Sequence, residues 1–102
     1  MTKAVINGTV IAEAPKDDLI RIEGNWYFPP SSVKSEYLVE SATPYTCPWK
    51  GACQYFSVRD GDTVLQDRAW SYPHPYESAF ARTDGKDFSN YVAFWKEVQV
   101  VD

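Results

Sequence analysis

Ala52-Cys53-Gln54-Tyr55-Phe56-Ser57-Val58-Arg59, then Asp60-Gly61, then Asp62-Thr63-Val64-Leu65-Gln66-Asp67-Arg68-Ala69-Trp70 form the longest β-hairpin signal in the chain. Two runs rich in aromatic and branched residues flank an Asp-Gly pair, a pair that accepts the positive φ of a tight turn. With Asp60 and Gly61 as the turn, Phe56 faces Leu65, Val58 faces Thr63 and Ala52 faces Ala69. That register gathers apolar residues on one face. It sets Cys53 opposite Arg68, with Tyr55 and Trp70 on the second face.

Upstream, Ala4-Val5-Ile6 and Thr9-Val10-Ile11 flank Asn7-Gly8, the strongest short hairpin signal. Leu19 to Ile22 and Trp26-Tyr27-Phe28 flank Glu23-Gly24-Asn25 in the same way, and Pro29-Pro30 ends the second run because neither proline donates to a ladder. Ser31 to Ser35 predicts one helical turn, and Tyr37-Leu38-Val39 a strand that ends in a turn-rich Ser41 to Pro48 region. Pro73 and Pro75 interrupt regular structure after Trp70. A short helix is expected over Tyr76 to Ala81, and final strands over Asn90 to Trp95 and Val98 to Val101. Short strands with little room for helices predict an all-β sandwich, barrel or tent. At 102 residues, with no repeat or long linker, residues 1–102 read as a single domain.

Composition bounds the partners. The net charge is −4 and the ten basic residues are scattered, whereas tracking phosphates needs clustered Lys and Arg. No nucleic-acid partner is expected. The longest apolar run, Tyr91 to Trp95, is far short of the roughly 20 residues that span a bilayer, so no membrane partner is expected either. Ala4 to Ile6 is too short for a secretory signal core, and the default is a cytoplasmic protein with reduced Cys47 and Cys53. It reads as a monomer or weak homodimer.

Chemistry concentrates in two segments. Cys47-Pro48-Trp49-Lys50-Gly51-Ala52-Cys53 joins thiols, an amine and an indole, and Trp70-Ser71-Tyr72-Pro73-His74-Pro75 holds the one histidine. Sixteen aromatic residues are many for so short a chain; most would build the β core, and Trp49, Trp70 and Tyr72 suit the walls of a ligand pocket. Lys50 would anchor a polar group, His74 would add a contact, and Cys47 would be a wall or a nucleophile. Trp26 is a further wall candidate, and Trp and Tyr faces would also cage a cation.

Four ordered blocks, Tyr27-Phe28-Pro29, Cys47-Pro48-Trp49-Lys50-Gly51, Ala69-Trp70-Ser71-Tyr72-Pro73 and Tyr91-Val92-Ala93-Phe94, resemble domain-of-unknown-function family 427 across nearly the whole chain. Its members are mostly bacterial. The resemblance implies an Mss4-like, or β-tent, fold of two antiparallel sheets leaning together, with one or two short helical turns. Relatives of that fold include zinc proteins, methionine sulfoxide reductases and the ligand-binding domain of cereblon. The resemblance marks Cys47, Pro48, Lys50, Gly51, Trp70, Tyr72 and Pro73 as characteristic, with Cys53 and His74 less typical. The family also carries a nucleotidyltransferase-like label, but this chain has neither a glycine-rich phosphate cradle nor clustered carboxylates suited to Mg²⁺.

No CxxC pair is present and His74 stands alone, so neither a metal nor another cofactor is expected. The leading expectation is binding, with conversion left open, of a small organic molecule by Trp49, Lys50, Trp70, Tyr72 and His74. The alternative is a thiol-dependent enzyme or redox protein, with Cys47 as nucleophile, Lys50 favouring thiolate and Cys53 resolving. A protein-interaction module is the third reading.

Overall fold

The structure, a computed structural model, describes residues 1–102 and is all-β. Its nine strands divide into three antiparallel sheets, with no closed barrel. β1 (Thr2–Ile6) pairs with β2 (Thr9–Ala14) and with the late strand β9 (Gln99–Val101). β3 (Ile20–Ile22) and β4 (Asn25–Tyr27) form a separate ribbon. β5 (Leu38–Cys47), β6 (Gly51–Asp60), β7 (Thr63–Ser71) and β8 (Val92–Phe94) form the large sheet in that order. Reciprocal backbone bonds between Phe28 and Val92, 2.8 and 2.9 Å, tie the ribbon to the large sheet.

Local chemistry sets the first two hairpins. Asn7 and Gly8 take φ of 46° and 78°, and Glu23 and Gly24 take 53° and 83°, the pair of positive values that a two-residue type I′ turn requires. The helical expectations become 3-10 turns at Pro30–Ser32, Ser35–Tyr37 and Glu77–Thr83.

The long hairpin departs from its expected register. Asp60 pairs with Thr63, so the turn is Gly61-Asp62 rather than Asp60-Gly61. Gly61, at φ 61°, occupies the first central position, which a type II′ turn reserves for glycine. Val58 then faces Leu65 rather than Thr63. Beyond it a bulge opposes Gln66, Asp67 and Arg68 to Ser57, after which Phe56 pairs with Ala69 and Tyr55 with Trp70. Both displacements are even, so the paired residues on either side of the bulge keep the face the sequence suggests, while Asp67, unpaired within the bulge, turns to the second face.

The Ser41 to Pro48 region is corrected as well: β5 continues through it to Cys47. It is an edge strand, where Pro44 is tolerated because its missing N–H faces no partner. The ladder lapses between Glu40 and Pro44, and the Gln54 side chain donates to the Ser41 carbonyl at 3.0 Å there.

The large sheet has a core on each face. Val58, Ala69 and Phe94 pack with Ala4, Ile6, Ile11 and Phe28 on one side. Cys47, Tyr72 and Ala93 pack with Ile20, Ile22, Tyr27 and Phe88 on the other. Phe88 is the hub of this second core, edge-to-face with Tyr27, Tyr72 and Phe80 at 6.4, 6.2 and 5.8 Å between ring centres. No helix is long and apolar enough to cross a membrane.

Candidate functional site

The bend Pro48-Trp49-Lys50 joins β5 to β6 and is closed by the Cys47–Gly51 pair. Gly51 sits at φ 110°, and a Cβ there would lie 3.3 Å from the His74 carbonyl oxygen. Glycine thus lets the segment after β7 cross directly over the bend. The Tyr76 N–H donates to the Lys50 carbonyl at 3.1 Å and pins the crossing.

Pinned this way, Lys50 is buried, and its Nζ lies 5.0 Å from the Trp49 ring centre and 5.2 Å from that of Tyr72. It donates to the Glu23 carboxylate, which the left-handed Glu23 of the β3–β4 turn delivers. The hydrogen bond from Lys50 is the main reason the Glu23 carboxyl titrates below its ordinary range, with burial opposing it. Arg82 adds a second cation 4.8 Å from the Trp49 ring.

Lys50, Trp70 and Tyr72 line one groove of about 450 Å³ on the second face of the large sheet. Tyr45 and Tyr55 extend its aromatic wall, Tyr27 and Asn25 contribute from the ribbon, and the exposed Trp95 stands at the rim. Trp70 is held by its indole N–H, which donates to the Tyr27 hydroxyl at 2.9 Å. Burial pushes the Tyr27 hydroxyl up to about 12, and raises Tyr55 and Tyr72 too, so these phenols stay neutral near pH 7.

Asp67 completes the lining. It is the left-handed residue of the β7 bulge, at φ 57°, and its N–H reaches the Ser57 hydroxyl at 3.4 Å. One carboxylate oxygen, Oδ2, accepts from the Thr43 hydroxyl at 2.7 Å, while Oδ1 is buried with no donor.

The other sequence candidates lie apart from this groove. Trp49 packs beside Lys50 without lining it, and Trp26 instead faces Lys16 and Arg21 at 5.3 and 4.8 Å. His74 borders a second hollow of about 140 Å³ with Ala52, Cys53, Gln54 and Pro73. Cys47 is 4% exposed and belongs to the second core. Cys53 is half-buried, and burial pushes its thiol up to about 11 despite a hydrogen bond with Tyr72. Both thiols are free. Cys47 pairs with Gly51 and Cys53 with Tyr45, so the cysteines are diagonal neighbours. Diagonal neighbours stand roughly 7–8 Å apart, beyond the usual disulfide Cα spacing of about 4.4–6.8 Å.

Glu23, Tyr45, Tyr55 and Trp95 were not singled out for the site by sequence. The one available signal was parity, since Tyr55 and Trp70 share the second face in either register.

No curated protein matches the chain. A family model does, over residues 1–102, and it spans every block quoted above. The chain belongs to the family described as Domain of unknown function (DUF427), NTP_transf_9.

Proposed function

We propose that this protein binds a small organic molecule in the aromatic groove between Lys50 and Asp67. One observation carries the reading: residues from the Lys50 bend, the end of β7 and the β3–β4 ribbon converge on a hollow of about 450 Å³. Ligand pockets of roughly 300–1,000 Å³ combine apolar walls with a few placed polar groups, the inventory found here. Lys50 and Glu23 form one polar end, and Trp70, Tyr55 and Tyr72 the walls. The thiol reading draws less support, because Cys47 is packed in the core and Cys53 holds its proton at neutral pH. The protein in this reading is a cytoplasmic monomer or weak homodimer.

The test is a thermal-shift screen of small amines, carboxylates and neutral aromatics against the wild type and Trp70→Ala. A ligand at 100 times its Kd stabilises the fold by about 2.7 kcal/mol. That raises the Tm of a domain this size by roughly 10 °C or more. A shift in the wild type that Trp70→Ala abolishes supports the groove. A silent panel, or equal shifts in both proteins, rejects it.

A further inference from the structure

Resting on the groove reading, we infer that its ligand carries a protonated primary or secondary amine, and that Asp67 is the acceptor. The polar groups of the groove reach this conclusion by elimination. Its charged lining is Glu23, Asp67 and Lys50, two carboxylates against one ammonium, a net of −1. Lys50 and Glu23 already satisfy each other. Asp67 is the group left over. Thr43 occupies its Oδ2, and no donor anywhere in the molecule reaches its Oδ1.

A buried carboxylate oxygen without a donor is costly, and an incoming N–H removes that cost. The surroundings select a charged donor over a neutral one. Tyr45, Tyr55 and Trp70 line the same hollow, and the faces of such rings attract organic cations; the Trp95 ring at the rim already meets Arg68 and Lys96 at 5.5 and 5.6 Å. An organic anion would meet Asp67, and Lys50, the one cation of the lining, is already held by Glu23. The Oδ1 atom is sealed from solvent, so an ammonium reaches it only as neighbouring side chains shift. Trp70 and Trp95 fluorescence therefore reports the event.

Three probes of one shape separate charge from hydrogen bonding: phenethylamine, its N,N,N-trimethyl derivative and 2-phenylethanol. Affinities are measured by calorimetry and indole fluorescence on the wild type and Asp67→Asn. Asparagine tolerates the left-handed conformation of position 67, so the bulge survives the change. Phenethylamine should bind the wild type at least about tenfold tighter than the alcohol, the scale of a charge-assisted hydrogen bond. The trimethyl compound should fall between them. Asp67→Asn should cut the advantage of the amine over the alcohol to what the rings alone supply, and leave the alcohol unchanged.

An alcohol as tight as the amine in the wild type overturns the inference while leaving the groove reading intact. A preference for the amine that survives Asp67→Asn undiminished does the same. A trimethyl compound as tight as the amine overturns the hydrogen bond to Asp67. If none of the three binds, the amine inference fails, and the groove reading falls with it only where the wider panel is also silent.

Discussion

Glu23→Gln should destabilise the protein more than Lys50→Met, although the two changes break the same ion pair. The asymmetry follows from exposure: the Lys50 side chain is 7% exposed and that of Glu23 is 54%. Glu23→Gln leaves a buried ammonium without its carboxylate. For a fully buried pair that loss costs about 3–5 kcal/mol. Glu23 is half in water, so the screened cost is nearer 1–2 kcal/mol. Lys50→Met removes the charge itself. It forfeits the pair and two ring contacts worth about 0.5–1 kcal/mol each. It also abolishes an ammonium desolvation penalty of several kcal/mol, so the net change should stay within about 1 kcal/mol of zero. The double variant should match Lys50→Met. Urea unfolding followed by tryptophan fluorescence reads all three as midpoint shifts at constant slope. The pH dependence supplies a second check. Folding holds the Glu23 carboxyl below its reference value of 4.5, so its contribution is complete above 4.5 and fades as pH falls through the lower folded value. The gap between wild type and Glu23→Gln should therefore narrow on acidification. Lys50→Met costing over 1 kcal/mol more than Glu23→Gln would refute the reasoning, because the ammonium would then be a net source of stability.

Two further outcomes are expected. Gly51→Ala forces a side chain into φ 110° and against the His74 carbonyl, and should cost about 1–3 kcal/mol, read as a lower Tm. An unchanged Tm would mean the crossing over the Lys50 bend is not tight. At about 11 rather than 9.0, the Cys53 thiol carries roughly 100-fold less thiolate at neutral pH than an ordinary one. Iodoacetamide should label native Cys53 correspondingly slower than the unfolded chain, by peptide mass spectrometry, and rapid native labelling would restore the thiol reading.

What could be read from the residues was what depends on neighbours in the chain. The Asn7-Gly8 turn is a two-residue signal and forms where it is expected, and the second hairpin forms at Glu23-Gly24-Asn25 with Asn25 already paired to Ile22. Face assignment of the paired residues in the long hairpin was equally legible, because parity survives an even shift. The register was not. Gly61 serves either type of two-residue turn, and the Asp67 bulge adds residues that no local pattern announces. β5 was hidden for another reason: Ser41, Thr43 and Pro44 read as a turn, and only pairing with β6 makes them a strand. The site divides along the same line. The approach of Lys50 to Trp70 and Tyr72 follows from two dense segments, but the placement of Glu23, Tyr45 and Asp67 depends on how three elements meet. Cys47 and His74 carry conspicuous chemistry in the sequence, yet one packs into the second core and the other faces a different hollow.

Departures from local preference also share a location. Six residues other than glycine have positive φ: Asn7, Glu23, Asp67, Asp84, Asn90 and Lys96. Asparagine and aspartate accept that conformation readily, whereas Glu23 and Lys96 have long side chains and no such preference. Glu23 lines the groove, and Lys96 follows Trp95 at its rim. The buried Lys50 and the donorless oxygen of Asp67 lie on the same side. Lys50 is the one buried charged residue of the chain, whereas the hollow on the opposite face, lined by Phe56, Ser71 and Asn90, has asparagine as its left-handed residue. A sequence shaped by stability alone would place asparagine or glycine at position 23 and an apolar or neutral residue at position 50. Strained backbone and incompletely satisfied charge persist where the surrounding fold enforces them, and they gather at surfaces that act on something. Their concentration around one groove is an argument for function there that does not depend on the shape of the hollow.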